Sequence, residues 1–276
     1  MTAEDEGCRA ADRFRREHHL GTQPLGDLVA LIEQTTGIDV AVLDVGPDEH
    51  GLTMRDPVRG AVFIAVARTE NPMRQRSTLA HELAHVLFED WADEQLTDCV
   101  PRRYEEIRAD AFARHLLVPV EGVREVVGDA PATPLVLSKV VQWFQVSPAV
   151  AAIAMHRAGC VDAGTKEQWR TISTPKLAAR FGWTDQYKAL QEQSDTRRAP
   201  QKLLARAIDG YVENVVSAQA LATLRGMDAA SVISELTGQG IEPQARTVVW
   251  EDLGDLPDVE FDDGDADGDG GKGSAG

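Results

Sequence analysis

The segment STLAHELAHVLFED, residues 77–90, restricts the fold of this chain more than any other. Its histidines, His81 and His85, are four residues apart, so a helix here points both imidazoles from one face. Glu82 follows His81 directly. An apolar stripe at helical spacing predicts that the same helix packs on a core. The stripe consists of Leu79, Leu83, Val86 and Leu87.

Two imidazoles at this spacing can both bind one tetrahedral metal ion. Glu82 then lies on the same side, where a general base can take a proton from an attacking water. The alternative hypothesis is a structural helix whose histidines cap a core or face water. A hydrolytic site with two histidines needs a third protein ligand and one open position, so a third ligand decides between the hypotheses.

Residues 104–119, YEEIRADAFARHLLVP, offer that ligand on a second predicted helix. Glu106 and Asp110 share one face, so Glu106 can bind the metal. Asp110 can accept the ring N–H of a ligating histidine and fix its tautomer. Glu105 is the alternative ligand, but its face of the helix also carries apolar residues. Such a face is more typical of core packing than of metal binding. These neighbours are Ala109, Phe112 and Leu116. The alternative hypothesis is that Glu106 and Asp110 form a solvent-exposed acidic face that binds no metal.

Short runs rich in β-branched residues predict strands ahead of the histidine helix. The strand candidates are 38–45, 60–67 and, more weakly, 50–56. Helical spacing is present over 4–34 and 121–158 and continues over 166–240. The later helices are expected to break near Gly182, Pro200 and Gly226. The pattern predicts an α+β fold.

The combination of RQRSTLAHELAHVLF with EIRADAFARHLLVP resembles the ImmA/IrrE metallopeptidases. The shared pattern is a basic lead-in to HExxH, followed by E-x-x-A-[ND]-x-F-A and a Leu-Leu-x-Pro close. The resemblance covers residues 10–160 and is most specific over 74–119. It implies a zincin-like peptidase domain with a small mixed sheet. The implied ligands of one zinc ion are His81, His85 and Glu106, and the implied catalytic base is Glu82.

The resemblance also implies a biological role. Members of this family are cytoplasmic proteases that cleave a helix-turn-helix repressor and so induce the repressed genes. The expected function is zinc-dependent hydrolysis of a peptide bond in a specific cytoplasmic protein. Two histidines and a glutamate also accept manganese or iron. The donor for the developing oxyanion is left open between Tyr104, His115 and His50.

Three segments are predicted: a peptidase domain at 1–160, an all-helical accessory domain at 166–245 and a disordered acidic tail at 252–276. The helical domain is a candidate for substrate recognition. From Glu251 onward there are ten acidic residues against Lys272 alone, which is −9 of the net −17. The DGDADG stretch in the tail begins like a calcium loop, but the twelfth position is serine where glutamate is required.

Composition argues against nucleic acid and membranes as partners. Phosphate binding needs clustered basic residues, whereas this chain has 28 basic and 45 acidic residues. Two segments that imitate a helix-turn-helix, 137–159 and 217–236, have few basic residues on their second helices. The apolar runs are shorter than a membrane span. Three cysteines without a CxxC pair and a polar N-terminus are expected of a cytoplasmic protein.

Two other functions compete with proteolysis. One is a regulatory protein-binding module in which the metal is only a structural tie. The other is a DNA-binding regulator, which the missing basic recognition helix disfavours. Replacing Glu82 by glutamine separates the first from a peptidase, because it spares the metal ligands and removes the base.

Overall fold

A computed structural model describes residues 1–45, 51–91 and 104–244. Residues Met1–Pro243 form one compact unit. The helices are α1 Ala3–Glu17, α2 Leu28–Thr36, α3 Pro72–Phe88, α4 Tyr104–Leu117, α5 Val120–Val127, α6 Pro134–Phe144, α7 Pro148–Arg157, α8 Ala163–Arg170, α9 Thr174–Phe181, α10 Thr184–Ser194, α11 Gln201–Val212, α12 Ala218–Arg225 and α13 Ala229–Gly238. The strands are β1 Asp39–Leu43, β2 Gly51–Arg55 and β3 Val62–Ala67. His50 and the predicted acidic tail lie outside the described residues.

The three strands form one small mixed sheet in the order β1-β3-β2. β1 runs parallel to β3, and β2 runs antiparallel to it. Val42 of β1 also forms an isolated bridge with Arg198. Among the described strands, none pairs with the outer side of β2. The sheet and its helices confirm the predicted α+β class. The weakest strand candidate, 50–56, also forms a strand, β2.

The limits of α3 follow from the residues at its two ends. The side chain of Asn71 accepts the backbone N–H of Arg74 at 3.2 Å, and Pro72 occupies the first turn. The helix ends at Phe88, because Glu89 takes a left-handed conformation with φ 57°. The same helix therefore carries both histidines of the HExxH motif.

The apolar stripe predicted for α3 is wrong at its last member. Leu79 and Leu83 are buried, but Leu87 is 42% exposed. Ala80 and Ala84, both fully buried, complete the packed face instead. The prediction followed the large apolar side chains and overlooked alanines, which permit close packing without adding much apolar area.

α1 lies directly against α4, the helix that carries Glu106. A Cβ atom built on Gly7 would approach the Cβ of Ala111 and the backbone nitrogen of Phe112 to 2.8 Å. Only a glycine allows the two backbones to come this close. The rings of Phe14 and Phe112 then meet edge to face, with centroids 6.2 Å apart.

After residue 160 the described chain consists of helices joined by short loops, as predicted, with one isolated bridge at Arg198. Side chains from α8, α9 and α10 join the core that contains the sheet and α3; they include Trp169, Leu177 and Tyr187. Helices α11 to α13 surround a separate small core of Tyr211, Leu221, Ala222, Val232 and Leu236. The predicted breaks are confirmed at Gly182, Pro200 and Gly226. The domain limits at 160 and 166 stay a prediction.

Within the described ranges, no single helix has the length and apolar character needed to cross a membrane. α6 and α7 meet those criteria only when taken together, and they are bent by 106° with respect to each other.

Candidate metal centre

Side chains from α3 and α4 bring three donor groups together. The Nε2 atoms of His81 and His85 are 3.0 Å apart. Glu106 places Oε2 3.3 Å from Nε2 of His81 and Oε1 3.5 Å from Nε2 of His85. Among the described residues, this is the one group of His, Cys, Asp or Glu side chains with the spacing of a metal site.

The separations between these atoms fit zinc. Atoms that bind a tetrahedral zinc ion at about 2.0–2.1 Å lie about 3.3–3.4 Å from one another. The observed separations, from 3.0 to 3.5 Å, span that value. The side chain of Glu106 is 44% exposed, whereas those of His81 and His85 are 20% and 14% exposed. The centre is therefore half-buried, and its carboxylate side is open to solvent.

The structure distinguishes between the two candidate carboxylates at the start of α4. Glu106 faces the histidines, and Glu105 is exposed and outside the cluster. The two residues differ by about 100° around the helix, so only one of them can face α3. This placement follows the preference for Glu106 that its neighbours on the helix face predicted.

Asp110 holds the ring of His81. Its Oδ1 lies 2.9 Å from Nδ1 of His81, so the Nδ1–H bonds to the carboxylate and Nε2 faces the centre. Burial lowers the pKa of His81, but this hydrogen bond and the charges of Asp110, Glu106 and Glu82 outweigh it. The pKa of His81 is consequently raised above its ordinary value. The predicted contact between Asp110 and a histidine of the motif is present.

His85 has a carboxylate partner of its own, which the sequence analysis missed. Oδ2 of Asp90 lies 3.3 Å from Nδ1 of His85. The backbone N–H of Asp90 also donates to the carbonyl of His85 at 2.9 Å. Helical spacing could not reveal this partner, because Asp90 follows the left-handed Glu89 and leaves the helix. A sequence signal for the contact between Asp90 and His85 is the position of this carboxylate, immediately after the end of the helix that carries the histidine.

Strand β2 positions Glu82. The hydroxyl of Thr53 donates to Oε2 of Glu82 at 2.7 Å. A Cβ atom built on Gly51 would lie 2.6 Å from Oε1 and 2.9 Å from Cγ of Glu82. The backbone of β2 therefore packs directly on this side chain. Helical spacing reveals neither strand residue, since these contacts join distant segments; Thr53 and Glu82 are 29 positions apart.

Replacing Gly51 by alanine is expected to displace Glu82, because the added methyl group would overlap its side chain and also Thr78. If Glu82 is the base, kcat should fall by about 100-fold, as expected for a misplaced catalytic group, while metal content stays unchanged. The matched control is Gly26→Ala, where nothing lies within 4 Å of the new methyl group. Equal activity of the two variants would contradict the placement.

Two oxyanion candidates are engaged elsewhere. The hydroxyl of Tyr104 donates to Glu6 at 2.9 Å. His115 is buried, and its Nε2 lies 2.8 Å from Nη1 of Arg157. Burial, followed by the nearby charges of Arg157 and Arg114, lowers the pKa of His115. Both contacts link helices and do not point these groups to the metal centre.

The three donors and Glu82 lie in a segment with a known family pattern. Residues 33–156 match peptidase family M78, described as an IrrE N-terminal-like domain. This part of the chain is similar to an IrrE N-terminal-like domain. The match confirms the family predicted from the two motifs and supports a metallopeptidase-type function. The IrrE N-terminal-like domain includes Asp90 and Asp110, whereas α1 and the helices after α7 lie outside the match. No curated protein matches the chain.

Proposed function

We propose that the protein is a zinc-dependent endopeptidase of the cytoplasm. Its substrate is one specific protein, a helix-turn-helix transcriptional repressor, and cleavage releases the repressed genes. The observation that carries the proposal is the convergence of His81, His85 and Glu106 at zinc spacing beside a separately held Glu82. The IrrE N-terminal-like match supports a peptidase over other uses of a metal.

In this proposal the side chains of the centre have separate roles in metal binding and in proton transfer. His81, His85 and Glu106 hold the ion, which when bound supplies Lewis-acid polarisation of the scissile carbonyl and of water. Glu82 takes the proton of the attacking water and passes it to the leaving amine. The hydroxyl of Thr53 donates to Oε2 of Glu82 and so holds the carboxylate in place.

An extended peptide has a place beside this centre, at the outer edge of β2. Such an edge can bind a peptide through main-chain hydrogen bonds, as a further strand of the sheet. Thr53 faces Glu82, so the alternate residues Leu52 and Met54 face the other way. They are 52% and 51% exposed. A bound peptide would contact them with every second side chain, which favours apolar residues at those positions.

Replacing Met54 by glutamate should therefore raise the KM for the protein substrate by about tenfold, because one apolar contact is lost. The value of kcat at saturation and the zinc content should stay unchanged, since Met54 does not contact Glu82. Val58→Glu is the matched control, as Val58 is 90% exposed and lies beyond the strand. Equal changes in the two variants would argue against the β2 edge as the peptide site.

The direct test is to mix the purified, zinc-loaded protein with the helix-turn-helix regulator encoded beside it. One discrete cleavage is expected, and a chelator should stop it. Cleavage of a different protein would refute the proposed substrate class but would support the endopeptidase activity. Intact regulator, together with no cleavage in a total protein extract, would refute the peptidase.

A further inference from the structure

Asp90 joins the second histidine of the centre to an arginine of α4. One of its oxygens lies 3.3 Å from Nδ1 of His85. The other accepts a hydrogen bond from Nη2 of Arg108 at 2.5 Å. The side chains of Asp90 and Arg108 are both only 13% exposed. A charged pair that is so well shielded from water persists only when both partners are present.

Arg108 is fixed from two further sides. Its Nη1 donates to Oε1 of Glu6 on α1 at 3.0 Å. Its guanidinium carbon lies 3.9 Å from the centroid of the Phe88 ring, at the end of α3. Glu6 in turn accepts the hydroxyl of Tyr104 at 2.9 Å. The guanidinium is thus held between α1, α3 and the residue that contacts His85.

We propose that Asp90, Arg108 and Glu6 form a positioning network that sets the ring of His85 for metal binding. Asp90 would accept the Nδ1–H of His85 and direct its Nε2 to the ion, while Arg108 fixes the carboxylate and Glu6 fixes Arg108. The centre then depends on α1, which lies outside the matched residues 33–156. The inference rests on the metal binding in the proposed function, and not on proteolysis.

The chain contains a natural control for this network. Arg114, on the same helix, donates to both carboxylate oxygens of Glu4 at 2.7 Å, so it also links α4 to α1. Its side chain is 18% exposed, close to the 13% of Arg108. The Arg114–Glu4 pair has no described contact with His85 or Asp90. A purely structural link between α1 and α4 would make the two arginines equivalent.

The test measures the zinc dissociation constant by competition with a chromophoric chelator, in the full-length chain and without substrate. Asp90→Asn should weaken zinc binding by about 10- to 100-fold, the usual effect of losing a carboxylate behind a metal-bound histidine. Arg108→Gln should weaken it by about tenfold. Arg114→Gln should leave it unchanged. The visible spectrum of the cobalt-loaded Asp90→Asn variant should also change, since the ring of His85 is reoriented.

A second pair tests the contribution of α1. Glu6→Gln should weaken zinc binding, and Glu4→Gln should not, although both carboxylates link α1 to side chains of α4. Glu4 also pairs with Arg157 of α7. Thermal melts of the metal-free variants separate site geometry from loss of fold. Equal zinc affinities within each pair, or losses that follow the melting temperature alone, would overturn the network.

The zinc readout also separates this inference from the proposed function. Asp90-dependent zinc binding in a protein that cleaves nothing would refute the peptidase and support the network. A wild-type chain that binds no zinc would overturn both.

Discussion

Replacing Glu82 by glutamine is expected to lower kcat by about 10²- to 10⁴-fold, the contribution of a positioned general base. The amide keeps the size of the side chain and an oxygen that can accept from Thr53, but it cannot take a proton from water. Zinc content should be unchanged, because Glu82 is not one of the three clustered donors. Turnover of the protein substrate and metal analysis of the same sample measure both effects.

The control for this variant is Glu70→Gln, which alters an exposed carboxylate just ahead of α3. It should retain full activity. If Glu82→Gln retained activity as well, another group would have to be the base. If the regulatory output survived in a zinc-loaded but inactive Glu82→Gln protein, the regulatory binding module would explain the function and proteolysis would not.

Replacing Glu106 by alanine should weaken zinc binding by more than about 100-fold, a larger loss than that of a carboxylate behind the ligands. Glu105→Ala is the matched control, one residue away on the same turn of α4. Its carboxylate is exposed and outside the cluster, so zinc affinity should stay at the wild-type level. Chelator competition on both proteins gives the comparison.

Both carboxylates are at least partly exposed to solvent, so each substitution should change the unfolding free energy of the metal-free protein by no more than about 0.5 kcal/mol. A loss of zinc in Glu106→Ala can then be assigned to the missing ligand. If Glu105→Ala were the variant that lost zinc, α4 would have to be rotated from the position in this structure.

The sequence predicts the parts of the centre that helical spacing determines. The i, i+4 relation of His81 and His85 requires only that α3 forms, and its start is encoded by Asn71 and Pro72. The same relation predicts that Glu106 and Asp110 share a face. Both relations are local, because each concerns positions on a single helix. The prediction of the centre needed only one long-range assumption, that α3 and α4 face each other.

The remaining contacts depend on tertiary packing, which spacing does not reveal. Thr53 and Gly51 reach Glu82 only because β2 lies at the edge of the sheet beside α3. Asp90 reaches His85 because the chain leaves the helix at Glu89. The connection to Glu6 requires the close approach of α1 to α4. No periodic pattern in the sequence encodes these arrangements.

X-ray absorption at the zinc edge of the loaded wild-type protein tests the central claim most directly. We expect one ion per chain, bound by two imidazole nitrogens and by oxygen at about 2.0–2.2 Å, with no sulfur in the coordination shell. Sulfur ligation, a single imidazole, or a chain that retains no divalent ion would contradict the centre formed by His81, His85 and Glu106.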